Sequence, residues 1–390
     1  MQETNANGPT TEKWKKKSGL VGLATSAPFP GALPLHDSEI PSQSTATNQK
    51  FTSSSNNLDY SISEASEEEE IQMGKEVAAI FKDKGVHPVL IFGSKGSGKT
   101  SLIASLLKYM RDRPEAAASI ELAEELFPEN DPKWTRRIEW AQNVFFKTGF
   151  DFIVDRVAPP STLESLPFFI PVKVTLQNGT FSYFAFLEGK GEWYMPDYDA
   201  QVPFRKFKGF IQGLLQSFSN TSTVLYIAPF VTEDKDEGPN TKGLRLSDVG
   251  LLGAISEYAL IRKAMFHQDH HLFLVTKWDV CCDTIASEKF IEPDADEIQN
   301  VLRERYQLAW TKYLNLSLPG ENKSYSWYCS GVMDGRTVST PAAEDSDRIA
   351  QFPRKLWDSL YQNATKKVLY EDVQPRELGF LDKLLRLLRR

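Results

Sequence analysis

The chain has 390 residues, with 45 Lys+Arg against 52 Asp+Glu, 41% hydrophobic residues and 3 Cys. Three cysteines, two of them adjacent as Cys281 and Cys282, exclude a disulfide framework and point to a reducing, cytoplasmic setting. The formal net charge of -7 gives no basis for nucleic-acid binding, no apolar run reaches the roughly 18 residues of a membrane-spanning helix, and the polar N-terminal stretch gives no reason to expect secretion.

Residues 1–70 carry 10 acidic residues and 5 lysines, so most of the net charge is concentrated there. Ser, Thr, Asn, Pro and Gly dominate this stretch, which cannot bury enough apolar surface to offset the entropy of ordering it. It is expected to be a disordered acidic tail, with Trp14, Lys15, Lys16 and Lys17 an ordinary solvated cluster within it. From Ile71 the pattern changes. A helix is expected over 71–84, closed by Gly85, and His87 to Phe92 then reads as a continuous apolar strand of the doubly buried kind. Gly93-Ser94-Lys95-Gly96-Ser97-Gly98-Lys99-Thr100 follows at once, and an apolar-periodic helix starts with Ser101.

Strand, glycine loop and helix in this order make a P-loop, and each residue type answers a physical demand. Gly93, Gly96 and Gly98 let the backbone turn its N–H groups toward phosphate oxygens, and the helix behind points its positive end at the same anion. Lys99 is the candidate for the β- and γ-phosphates and Thr100 for Mg²⁺, with Ser94, Lys95, Ser97 and Ser101 completing the cradle. The expected ligand is a nucleoside triphosphate.

Residues 112–165 contain the runs EAAASIELAEELF and RRIEWAQNVFF and are expected to form a helical insertion. Two strands at 170–177 and 180–187, joined by Asn178-Gly179, then read as a hairpin. Glu188-Gly189-Lys190-Gly191 follows it. A helix near 200–218, a strand at 223–230, a helix at 246–266, a strand at 272–275, a helix at 294–314, a strand at 324–329 and a helix at 347–365 complete an alternating α/β pattern. The strand at 272–275 delivers Thr276-Lys277-Trp278-Asp279 to its C-terminal end, the end at which open α/β sheets bind ligands.

Together the P-loop, the TKWD segment and the hairpin resemble the TRAFAC-class, Ras-like GTPases. The resemblance implies a Ras-like G domain over 71–370 with a mostly parallel six-stranded sheet, enlarged by the insertion. It implies that Asp279 accepts from the ring N–H and exocyclic amine of guanine, a donor pair adenine lacks, while Lys277 lies across the base. Thr276 belongs to the same motif, and Ser330 matches the first residue of the family's short SAK-type loop. Glu188 stands where the family carries the Asp of DxxG, which orders the Mg²⁺ water shell, and Gly191 where a glycine N–H senses the γ-phosphate. The extra methylene of Glu188 departs from that pattern. Glu192 falls at the position of the water-positioning glutamine, though a solvent-facing loop carboxylate fits as well. Thr162, with Ser161 next, is the candidate switch threonine for Mg²⁺ and the γ-phosphate, and Arg156 is placed either as an arginine finger in cis or as a surface arginine. Trp193 and Tyr194 in the same region are read as packing on their own domain.

The implied activity is GTP binding and slow hydrolysis as a molecular switch, with Mg²⁺ as cofactor and a protein effector or regulator as partner. Two other readings stay open: a P-loop or STAND-like ATPase, and a nucleotide-bound scaffold with little turnover. His267, His270 and His271 lack a metal-site spacing and read as a loop before a strand. Cys281 and Cys282 read as packed near the base edge. Residues 371–390 place Leu381, Leu384, Leu385 and Leu388 on one face among Lys383, Arg386, Arg389 and Arg390. That is a basic amphipathic helix, which either packs on its own domain or contacts a membrane surface.

Overall fold

The structure is a computed structural model that describes residues 66–94, 96–112, 119–127, 132–147, 168–188, 207, 209–230, 245–277, 293–330, 332–334, 337–339, 343–367 and 369. Among these, seven strands form one mixed sheet: β1 His87–Phe92, β2 Ser119–Leu122, β3 Phe168–Thr175, β4 Phe181–Glu188, β5 Thr223–Pro229, β6 His270–Thr276 and β7 Lys323–Trp327. Their order is β2-β3-β4-β1-β5-β6-β7. β4, β1, β5, β6 and β7 run parallel to their neighbours, while β3 pairs antiparallel with β4 and β2 antiparallel with β3. Val332–Asp334 and Thr337–Ser339, β8 and β9, form a separate two-stranded ribbon.

The helices are α1 Glu67–Lys84, α2 Lys99–Asp112, α3 Pro132–Ala141, α4 Gly209–Ser217, α5 Leu246–Arg262, α6 Ala295–Arg305, α7 Gln307–Leu314 and α8 Ala343–Thr365. Trp357 of α8 stands edge-on to Phe184 and Phe186 of β4 and donates its indole N–H to Leu106 O of α2, so α2 and α8 cover one face of the sheet. On the other face Phe92 packs on Tyr258 of α5, and Phe273 on Trp310 and Tyr313 of α7. β1 and β5 are buried along their whole length, as strands covered on both faces must be.

Several expectations change. The sheet has seven strands and is mixed, not six and mostly parallel. The seventh is β2, inside the stretch expected to be a helical insertion, which also holds α3 and a π-helical turn, Gln142–Lys147. Alanine-rich sequence favours a helix, but pairing of Ser119–Leu122 with Val172–Thr175 satisfies its backbone on the β3 edge, and tertiary context prevails. The run Glu67–Glu70 is the first turn of α1, because Ser66 and Glu69 form a capping box and four carboxylates favour the positive helix end. The helix expected at 294–314 is broken at Tyr306, where φ is −127° and the hydroxyl donates to Pro229 O at 2.7 Å. The Asp248 carboxylate then accepts from the N–H groups of Leu308 and Ala309, which start α7. The hairpin turn is as expected: Gly179 adopts φ 83°, and Asn178 Oδ1 accepts from Thr180 N at 2.9 Å.

Candidate functional site

β1, β5 and β6 end side by side, so the glycine loop after β1 and Thr276 at the end of β6 share the C-terminal edge of the parallel strands. Gly96 and Gly98 adopt φ 71° and 93°, left-handed values that other residues reach only with strain. Gly93 is needed for space: a Cβ there would stand 2.7 Å from Ser97 Oγ and 3.0 Å from Ile227 Cβ. Lys99, buried at the first position of α2, donates from Nζ to Gly93 O and Ser94 O, each at 2.9 Å. Its ammonium is thereby held over the loop that the glycines shape.

Thr100 donates its hydroxyl to Glu188 Oε1 at 2.9 Å. Glu188 closes β4 beside β1 and is 1% exposed, so the longer side chain reaches Thr100 directly. A hydroxyl and one carboxylate are hard oxygen donors of the number Mg²⁺ takes from protein when phosphate and water supply the rest, and these residues therefore fit that ion. Among the described residues no cluster of three or more His, Cys, Asp or Glu side chains is disposed to hold a metal.

Thr276 is buried and donates from Oγ1 to Ser97 O at 2.8 Å. The first residue of the TKWD segment thus braces the glycine loop from the neighbouring strand, and Phe230 N–H in turn donates to Thr276 O at 2.7 Å. Lys277 follows with φ 60°, a left-handed turn that ends the strand. Ser97 Oγ is fully buried beneath the loop with no hydrogen-bond partner among the described residues. Ser330 is part-buried just beyond β7, near Tyr328, whose N–H donates to Val275 O at 2.8 Å.

The structure therefore brings together Gly93, Ser94, Gly96, Ser97, Gly98, Lys99, Thr100, Glu188 and Thr276. Lys95, Arg156, Ser161, Thr162, Gly191, Glu192, Trp193, Tyr194, Asp279, Cys281, Cys282 and the 371–390 stretch lie outside the described residues. His270 and His271 belong to β6 rather than to a loop. His271 is a core residue: Nδ1 meets the Tyr226 hydroxyl at 3.1 Å and Nε2 meets Phe266 O at 3.1 Å. Burial lowers its pKa to about 4.

Two contacts at this edge carry no local sequence signal. One is the brace from Thr276 to Ser97. The other is a stack behind the loop, where Phe92, next to Gly93, lies parallel to Phe207 with ring centroids 5.2 Å apart. Among the described residues no helix is long and apolar enough to cross a membrane. The sequence matches no protein-family model and no curated protein.

Proposed function

We propose that this chain binds a guanine nucleotide with Mg²⁺ on a Ras-like P-loop fold and hydrolyses GTP slowly, as a nucleotide-dependent switch or regulatory GTPase. The observation that carries the reading is the 2.8 Å bond from Thr276 Oγ1 to Ser97 O, because it joins two motifs recognised separately in the sequence. Both segments stand at the C-terminal strand edge, where open α/β sheets bind ligands, as a single nucleotide site requires. The strand order, with the antiparallel hairpin strand outside β4 and β1 at the centre, is consistent with the same reading.

In this reading the loop N–H groups and Lys99 bind the β- and γ-phosphates, and Thr100 and Glu188 hold Mg²⁺. That ion, when bound, neutralises charge on the phosphate oxygens. Catalysis is then mainly positioning: Lys99 is already directed at the loop, so little reorganisation is needed when phosphate charge develops. Asp279 and Lys277 select guanine, Ser330 lies on the same side, and Gly191, Glu192 and Thr162 are the proposed γ-phosphate and water contacts. A protein effector or regulator reads the bound state, and the setting is cytoplasmic, with 371–390 the segment for any membrane-surface contact.

Competition of fluorescent GTP by GDP, ATP and XTP tests the proposal. GTP and GDP are expected to compete, ATP is expected not to, and Asp279→Asn is expected to shift preference toward XTP. Equal competition by ATP would overturn the guanine assignment and favour an ATPase.

A further inference from the structure

Helix α1 precedes the phosphate loop in the chain, yet its closest partner is α4, the helix that follows the Glu188 segment. The two helices approach backbone to backbone. A Cβ added at Gly74 would lie 2.1 Å from Phe210 O, and one at Gly213 would lie 2.0 Å from Ile71 O, so neither position admits any side chain. Gly209 is confined as well, though less tightly, with Glu67 O 2.7 Å from its added Cβ. A polar contact joins the same pair of helices: Glu70, 9% exposed, accepts the N–H of Gly209 at 3.1 Å, which satisfies a first-turn donor of α4. Beyond the contact Phe81 of α1 packs edge-on to Phe218 after α4 and to Phe169 of β3. Interfaces this tight do not deform gradually, so α1 and α4 move together or not at all.

α4 is also connected to the phosphate loop. Phe207 stacks on Phe92, the residue before Gly93, and Phe207 O accepts from Gln212 Nε2 at 2.6 Å. The chain of contacts runs from Gly93 through Phe92 and Phe207 to α4, and across the glycines and Glu70 to α1.

We propose that α1 is the output element of the site: the nucleotide state held at the P-loop biases α4, and the clasp transmits that bias to α1. The inference rests on the nucleotide reading above and adds where its signal leaves the site. Since coupling between two sites is reciprocal, loosening the clasp must also change the relative affinity for tri- and diphosphate.

The test is hydrogen exchange of the full chain with Mg²⁺ and either GDP or a non-hydrolysable GTP analogue, read over 67–84, 209–217 and, as a control, 295–305. Binding of each nucleotide is measured separately by fluorescence titration. Protection of α1 and α4 is expected to differ between the two nucleotides in the same direction, while α6 stays unchanged. In Glu70→Ala the α1 difference is expected to shrink, and the ratio of the two affinities to change by about fivefold or more, the usual scale of such coupling. Gly213→Ala is the stronger variant but risks misfolding, so Phe207→Leu serves as the second probe and is expected to reduce the response of both helices. Unchanged α1 protection with both nucleotides demonstrably bound would overturn the coupling and leave the binding reading intact. Absence of binding in the titration would overturn both.

Discussion

The two ends of the parallel strands bury polar groups in opposite ways. At the N-terminal end, Asp269 is fully buried and every side-chain contact around it is reciprocated. Its Oδ1 accepts from Ser222 N, Ser222 Oγ and Arg262 Nη2, and its Oδ2 from Tyr258 OH and Arg262 Nε. Arg262 also donates to Phe218 O and Asn220 O. This network ties α5, β5, β6 and the end of α4 together. At the C-terminal end, a lysine is held on two loop carbonyls, a buried serine hydroxyl beneath them has no partner among the described residues, and one threonine braces the loop. The first arrangement is closed and can only hold the fold. In the proposed reading the second leaves the loop N–H groups and the Lys99 ammonium to a phosphate ligand, and a site differs from a structural network in that respect.

The contrast is broken most strongly at the closed end. Asp269→Ala leaves the Arg262 guanidinium, 1% exposed, with backbone carbonyls but without its buried counter-charge, and loss of one partner from a buried pair costs about 3–5 kcal/mol. A urea midpoint shift of that size is expected. A shift below about 1 kcal/mol would show that solvent reaches the network. Lys99→Ala works at the open end, where charge-assisted bonds are worth about 1.5–3 kcal/mol each. Triphosphate affinity is expected to fall roughly 100-fold or more, and the urea midpoint to fall by less than in Asp269→Ala as the bonds to Gly93 O and Ser94 O are lost. Retained tight binding would show that the loop is not the phosphate site.

The same contrast explains what could be read from the sequence. The strand, glycine loop and helix over 87–112 were legible because each of their requirements is local: a doubly buried strand, glycines where φ is positive or space is short, and a helix directly behind. Thr276 and Lys277 were legible as a strand end, but the partner of Thr276 was not, because Ser97 lies far away in sequence and only the strand order brings them together. The Arg262–Asp269 network spans a helix end, a 3₁₀ turn and a strand start, and no periodicity marks it. β2 was hidden by an alanine-rich composition that its pairing with β3 overrides. The break at Tyr306 depends on a hydroxyl bonded to Pro229 O and a carboxylate from α5, neither visible in a continuous helical pattern. Local elements were readable, and the sheet that assembles them was readable in its succession of strands and helices but not in extent.

A pH titration sharpens the comparison further, since both strongly perturbed histidines lie at the N-terminal end. Burial, with His270 and Lys366 nearby, lowers His87 to about 3, and burial lowers His271 to about 4 against the opposing pull of the Phe266 carbonyl and Asp269. Both rings are neutral when folded and protonate near 6.5 when unfolded, so the unfolded state binds more protons below that pH. Their contribution is present above about 6.5 and is lost as pH falls toward 4 and then 3, at about 1.4 kcal/mol per pH unit for each ring. His87→Gln, whose amide can still reach Thr223, is expected to flatten this slope by one ring's share between pH 6 and 4. An unchanged slope would mean that His87 is accessible to protons in the folded state.

The smallest effect is expected at the brace, and it separates the roles of two adjacent polar groups. Thr276→Val keeps the shape and removes the donor to Ser97 O, leaving a buried carbonyl one bond short at a cost of about 1 kcal/mol. Because that carbonyl belongs to the glycine loop proposed to bind phosphate, triphosphate affinity is expected to fall roughly fivefold, the equivalent of about 1 kcal/mol. Ser97→Ala removes a hydroxyl with no partner among the described residues, so neither stability nor affinity is expected to drop. Measured together, the pair distinguishes a loop held by its backbone from one held by its own side chain. Loss of affinity in Ser97→Ala with none in Thr276→Val would reverse the assignment and make the serine hydroxyl, rather than the strand-end threonine, the group that shapes the loop.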